Sequence, residues 1–260
     1  MEYKEQVYKM NNEIAICFNE FTYEKEHKEL CNIHPIIPAK KVEKSWWKIM
    51  KTHYDIFFPN TKKVAGQSST IKHCPGIYDF TNYGYIIPAW QDFKFWVDDD
   101  GEIEWQVHPS MQDVKNINHH SQEQVDTCPI LDNTASYILK VASPWLISTP
   151  KGTSLIICKP FYHYSDEFDI CPGVLDSDMD FSLSNHQINA MIRFNVKNKV
   201  IHIKAGQPLI QIIPFERTNW KLKYLEINKY IDEFPHHLEN TKHRTSTTKF
   251  RHDDSNKKFE

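Results

Sequence analysis

Carboxylates crowd one stretch of this chain. Asp166, Glu167, Asp169, Asp176, Ser177, Asp178 and Asp180 flank the Pro172–Gly173 turn. Grouped acids can activate a water as a general base or hold a divalent cation. They equally suit a solvated loop face, and residue type alone leaves both readings open.

Fourteen histidines are a second source of chemistry. No His-x-His pair occurs, and the adjacent His119 and His120 point to opposite faces if they lie on a strand. The metal arrangement left is discontinuous: His108 with His119 or His120 and with His163 or His186, converging from separate strands. Such a site would make a metal-dependent oxygenase or hydrolase; surface or satisfied core histidines are the plainer reading of each. The six cysteines are scattered, with no Cys-x-x-Cys pair. Cys74 and Cys171 each precede Pro-Gly, so both belong at turns, as small buried residues or as thiolates activated by His73 or His163. Trp90, Phe93, Phe95, Trp96 and Trp105 form an aromatic run that lacks the basic neighbours of a base-stacking platform, so they read as a hairpin core.

Positioning any of these groups falls to β-structure. Phe93, Phe95 and Val97 alternate with polar residues, and Ile103, Trp105 and Val107 do so again after Asp98-Asp99-Asp100-Gly101. Two alternating runs around Asp-Gly predict a hairpin. Strands are expected at 13–21, 137–141, 145–148, 154–158, 190–196, 200–203 and 209–214, with Pro144 separating two of them and further turns at Pro150-Lys151-Gly152, Pro172-Gly173, Asn198 and Ala205-Gly206. A strand is also expected at 222–227, followed by a short helix. Residues 44–52 (KSWWKIMKT) predict a short helix; residues 58–69 and the polar span 108–133 read as loops. The fold class is therefore mainly β. The organisation expected is an N-terminal strand, linker and short helix over 1–68, a β-rich core over 69–239, and a disordered polar tail over 240–260.

Composition excludes several classes. A net charge of −3 gives no basic excess for nucleic-acid binding. The apolar runs are far short of a spanning helix, so no membrane partner is expected. The polar start of the chain is unlike a secretory signal, and a cytosol-like compartment with reduced thiols follows. Abundant Lys, Asn and Ile with scarce Ala look like an AT-rich genome.

Three punctuated pieces then stand in order: Thr149-Pro150-Lys151-Gly152, Gly173-Val174-Leu175-Asp176-Ser177-Asp178, and Gly206-Gln207-Pro208-Leu209-Ile210-Gln211. Over 149–215 this pattern resembles the β-clip core of the dUTPase and dCTP-deaminase superfamily. The resemblance implies a β-clip core carrying additional N-terminal strands, a hairpin and one or two short helices. It also implies a nucleotide or related phosphate as ligand, Mg²⁺ as a possible cofactor, and a homotrimer. Asp176 matches the family's water-ordering aspartate and Gln211 its strand glutamine. Gly173 opens the ligand-reading hairpin and Asp178 follows it; for a phosphate, His163 or Arg193 is the contact expected in this chain. Three departures stand beside the match: Phe161-Tyr162-His163 where the family has its Arg-Ser-Gly phosphate motif, Met179 where it has its stacking tyrosine, and no glycine after Gly206.

A second set of pieces, Lys44-Ser45-Trp46-Trp47-Lys48, Ile71-Lys72-His73-Cys74-Pro75-Gly76, Ser143-Pro144-Trp145 and Ile213-Pro214-Phe215-Glu216-Arg217, resembles an uncharacterised family of marine phage and bacterial proteins. That resemblance implies a phage-type protein of the host cytoplasm or the virion. It keeps open a non-enzymatic structural or host-interaction role.

Overall fold

The computed structural model describes residues 13–125, 137–178 and 186–233. In chain order these form β1 (Ala15–Phe18), α1 (Lys25–Asn32), β2 (Ile37–Pro38), α2 (Ser45–Ile49), β3 (His53–Phe57), β4 (Val64–Ser69), α3 (Pro75–Asn82), β5 (Tyr85–Pro88), β6 (Phe93–Val97), β7 (Ile103–Val107), β8 (Ile117–His120), β9 (Ile138–Ser148), β10 (Thr153–Cys158), β11 (Phe168–Ile170), β12 (Gly173–Leu175), β13 (Gln187–Phe194), β14 (Lys199–Ile203), β15 (Pro208–Glu216) and α4 (Ile227–Glu233). The protein is mainly β, in antiparallel sheets with short helices, as the sequence predicts. The expected tail over 240–260, Met179 and Asp180 lie outside the described residues. No helix among the described residues is long and apolar enough to cross a membrane.

Two five-stranded sheets carry the fold. In one, β9 is the spine: β13 pairs along one edge, with β11 beyond it, while β8 and β1 share the other edge. The other runs β12-β10-β15-β5-β2. The predicted hairpin is β6–β7, extended to three strands by β14. Alternation sends Phe93 and Phe95 fully inward beside Trp90 and Phe194, so this part of the aromatic run is core rather than a platform. Ring contacts at 5.1–6.0 Å centroid spacing, one edge-on, one stacked and one tilted, knit the four together.

Several elements differ from expectation. The break at Pro144 does not occur, and β9 runs through it. Proline lacks a ladder donor, but the register between β9 and β13 shifts at this point: Gln187 faces Leu146 and Asn189 faces Ala142. On the other edge the Pro144 carbonyl accepts from Asn19 N, where β8 gives way to β1. The loop expected at 58–69 instead contains β4, paired with β3 in a solvent-exposed hairpin. The span 108–133 includes β8, paired with β9. Residues 222–227 form no strand; Trp220, Leu222 and Tyr224 alternate as a strand would but lie almost wholly in solvent, and no edge among the described residues pairs with them. The helix after them, α4, is present.

Candidate functional site

The chain crosses between the two large sheets at Cys171-Pro172, leaving β11 in one and entering β12 in the other. The sequence-predicted site residues are distributed around this crossing in separate neighbourhoods.

At the far end of β12, Asp176 and Asp178 meet Arg217, which follows β15. The register Thr153↔Glu216 and Leu155↔Leu175 brings these ends together. Arg217 Nη1 donates to Asp178 Oδ1 at 2.9 Å and Ser154 Oγ at 3.0 Å and forms an ion pair with Asp176 Oδ1 at 3.0 Å, and Nη2 pairs with Asp178 Oδ2. Ser154 Oγ donates to Asp176 Oδ1, and Gly152 N donates to Asp178 Oδ2 at 2.7 Å. The Ser154 hydroxyl and the Arg217 guanidinium hold the Asp176 carboxyl below the usual carboxylate range. Burial works against ionisation of Asp178, but Arg217 and the Gly152 amide outweigh it and its carboxyl is also held low. Both are therefore anions at neutral pH, weak as bases, and neutralised in part by one guanidinium. That guanidinium bridges the two carboxylates, so this pair does not fit a divalent cation such as Mg²⁺.

Gln211 lies on β15, some 6 residues or roughly 20 Å of strand from Arg217. It is buried. Its Oε1 accepts from Phe161 N at 2.9 Å, and its Nε2 donates to the carbonyls of Tyr83 at 2.7 Å and Phe80 at 3.4 Å. The side chain is spent on backbone, tying the 160–164 turn to the end of α3. His163 sits in that turn, half-buried; burial and the nearby Lys44 charge pull its imidazole pKa down. Arg193 pairs with Asp169 at 3.3 Å, where Lys159 also binds at 2.7 Å.

The histidines do not converge. His108 accepts from Ser110 N through Nδ1, His119 packs on the Tyr137 ring, and His186 Nδ1 lies 3.2 Å from Ser148 Oγ. Among the described residues no three His, Cys, Asp or Glu side chains are grouped to hold a metal ion.

His120 has a different setting. With Gly173, Asn189 and the apolar Ile138, Ile157 and Met191 it lines a cavity of about 350 Å³ at the sheet crossing. His120 Nε2 and Asn189 Oδ1 are both buried and have no hydrogen-bond partner among the described residues. Their chemistry is fixed by their other atoms. Gln124 Oε1 accepts from Ser121 N and also lies 3.1 Å from His120 Nδ1, so in the neutral ring the proton belongs on Nδ1 and Nε2 is a bare acceptor. Asn189 Nδ2 donates to Gln187 O, which leaves Oδ1 as an acceptor too. A Cβ at Gly173 would meet nothing within 4 Å, so the space over this glycine is open.

Arg217, Ser154 and Asn189 were not singled out by sequence. Arg217 had a signal, since it ends the Ile213–Arg217 piece; Asn189 had none before β13 was registered against β9.

No known family profile matches the chain, and no curated protein does. Among solved structures, a match is a mutant dUTPase from phage phi11 of S. aureus, described as coordinating a structural Mg(II) ion. It is 12% identical, covers 56% of this chain and 84% of that one, and superposes with a TM-score of 0.31.

Proposed function

We propose that the protein binds a small planar heterocycle, such as an amino-bearing nucleobase or nucleoside, in the cavity between His120, Asn189 and Gly173. The observation that carries this reading is the pair of buried acceptors without partners. Burying an acceptor unpaired costs about 1–3 kcal/mol, and both belong to residues that line one mostly apolar cavity, where a ligand with N–H donors would satisfy them. The volume lies at the lower end of small-ligand pockets. Gly173 in this reading leaves room for a ring against backbone. Asp176 and Asp178 act by holding the far end of β12 through Arg217 rather than by activating water, and their net negative charge disfavours a phosphate there.

Thermal-shift and calorimetric titration with cytidine, adenosine, uridine and inosine tests the reading. The amino-bearing pair should bind, and Asn189→Leu should abolish binding. No response to either amino nucleoside, or an unchanged response in Asn189→Leu, rejects it.

A second reading, non-enzymatic association through exposed apolar segments, is favoured by Trp220, Leu222 and Tyr224, each about nine-tenths exposed. Replacing the three by serine and measuring mass by light scattering tests it; a monomer in both forms rejects self-association.

A further inference from the structure

A second cavity, of about 370 Å³, lies among the Ala39–Lys41 turn, α2 and α3, and shares no lining residue with the first. Four lysines line it, Lys40, Lys41, Lys44 and Lys48, against the single carboxylate of Glu43. The chain as a whole is net negative, so this is a local reversal of sign. Glu43 is already paired, with Lys48 at 2.8 Å.

Lys44 is the informative member. Its Nζ donates to Ala39 O at 3.0 Å, Val42 O at 3.2 Å and Asn82 Oδ1 at 3.3 Å. These three neutral acceptors fix the ammonium in place. No carboxylate among the described residues lies within ion-pair distance of it, and it is half-buried. Burial penalises its charged form and pulls its pKa down. A fixed, partly desolvated cation without a counter-charge is an arrangement that an anion would stabilise.

The cavity also has an aromatic wall. Trp47 and Tyr78 line it with ring centroids 5.9 Å apart. Trp47 is braced edge-on by Trp46 at 5.4 Å, and Trp46 stacks on Tyr162 at 5.4 Å. Aromatic faces held in this way offer a surface for a second ring.

We infer that this cavity binds a small phosphate monoester carrying a planar ring, the ring against Trp47 and the phosphate between Lys41 and Lys44. Two cations at that end match a dianion better than a carboxylate.

Calorimetry on the full chain with inorganic phosphate, phenyl phosphate, adenosine 5′-monophosphate and adenosine tests this. Phenyl phosphate or the nucleotide should bind more tightly than inorganic phosphate, and which of the two binds better identifies the ring class. Raising salt from about 0.05 to 0.5 M should weaken binding about tenfold. Lys41→Glu, at an exposed position, should lose about tenfold or more for all three phosphates. Trp47→Leu should lose the advantage of the ring-bearing ligands while keeping phosphate binding. Asn189→Leu should leave the affinities for inorganic phosphate and phenyl phosphate unchanged, which separates this site from the first cavity. Unchanged affinity in the charge-reversed variant, equal affinity for phosphate and phenyl phosphate, or no binding of any phosphate at about 1 mM would overturn the inference.

Discussion

Arg217 grips Asp178 through both terminal nitrogens, Nη1 on Oδ1 at 2.9 Å and Nη2 on Oδ2. The Asp178 side chain is only 2% exposed, so the bidentate pair is largely shielded on the acid's side. It fixes the segment after β12 to the end of β15.

Acid sensitivity follows. The folded-state pKa values of Asp176, Asp178 and Asp169 all lie below their ordinary values. Their stabilising contribution is therefore complete above the unfolded value of about 3.9 and is lost as pH falls through the lower folded values. Melting temperature should drop steeply below about pH 4. Asp178→Asn should lower it at pH 7 and flatten that acid limb. An equally steep limb in Asp178→Asn would contradict the assignment.

Gln211→Leu removes the acceptor of Phe161 N and the donor to Tyr83 O. Losing such a partner costs about 1–3 kcal/mol where the group is buried and less where water reaches it. Urea denaturation should show a loss on that scale, with faster amide exchange at Phe161. A neutral result would mean that water replaces the side chain.

Asn189→Leu should do the opposite. Its Oδ1 is unsatisfied in the free protein, so an apolar side chain of similar size should raise stability by about 1 kcal/mol while removing ligand binding. Lower stability of the free variant would show that the lost Nδ2 bond to Gln187 O, or a partner of the acceptor, outweighs the relief.

Gly84 has φ +75°, and a Cβ there would stand 2.1 Å from the Ile212 carbonyl oxygen. Backbone meets backbone at this point, so nothing flexible can yield. Gly84→Ala should cost more than the roughly 1–3 kcal/mol of left-handed strain alone. Normal expression and an unchanged melting curve would contradict the close approach.

Thiol titration gives a further check. Cys17 and Cys74 are exposed, whereas burial pushes Cys31 up to about 12 and Cys158 up to about 11. In the native protein at pH 8, Cys17 and Cys74 should be modified rapidly and Cys31 and Cys158 only on unfolding. Mass mapping of labelled peptides reads this directly.

The parts of the fold legible in sequence were those whose local signals and tertiary environment agree. The Phe93–Val107 hairpin has both a Gly101 turn with positive φ and a buried alternating face. By contrast α1 buries only Cys31, so its eight residues carry little apolar periodicity to read. The exposed β3–β4 pair has no buried face to impose a one-sided pattern. Leu222–Tyr224 shows that alternation without an available edge does not make a strand. Of the site, Asp176 was legible as a carboxylate after a turn, but its partner was not. Arg217 reaches it only because β10 pairs with both β12 and β15, a relationship between residues far apart in the chain. The acceptor pair was hidden for the same reason, since His120 and Asn189 come to one cavity only through the pairing of β8 and β13 with β9.

The spine position of β9 has a consequence for synthesis. Its C-terminal half waits for nothing on one edge, because β1 has long since left the ribosome when Ser148 appears opposite Ala15. The other edge must stay open until Gln187–Phe194 is made. During that interval a long apolar strand is half-paired and able to bind another nascent chain. Slow translation between β9 and β13 should therefore lower soluble yield more than the same delay placed after β15.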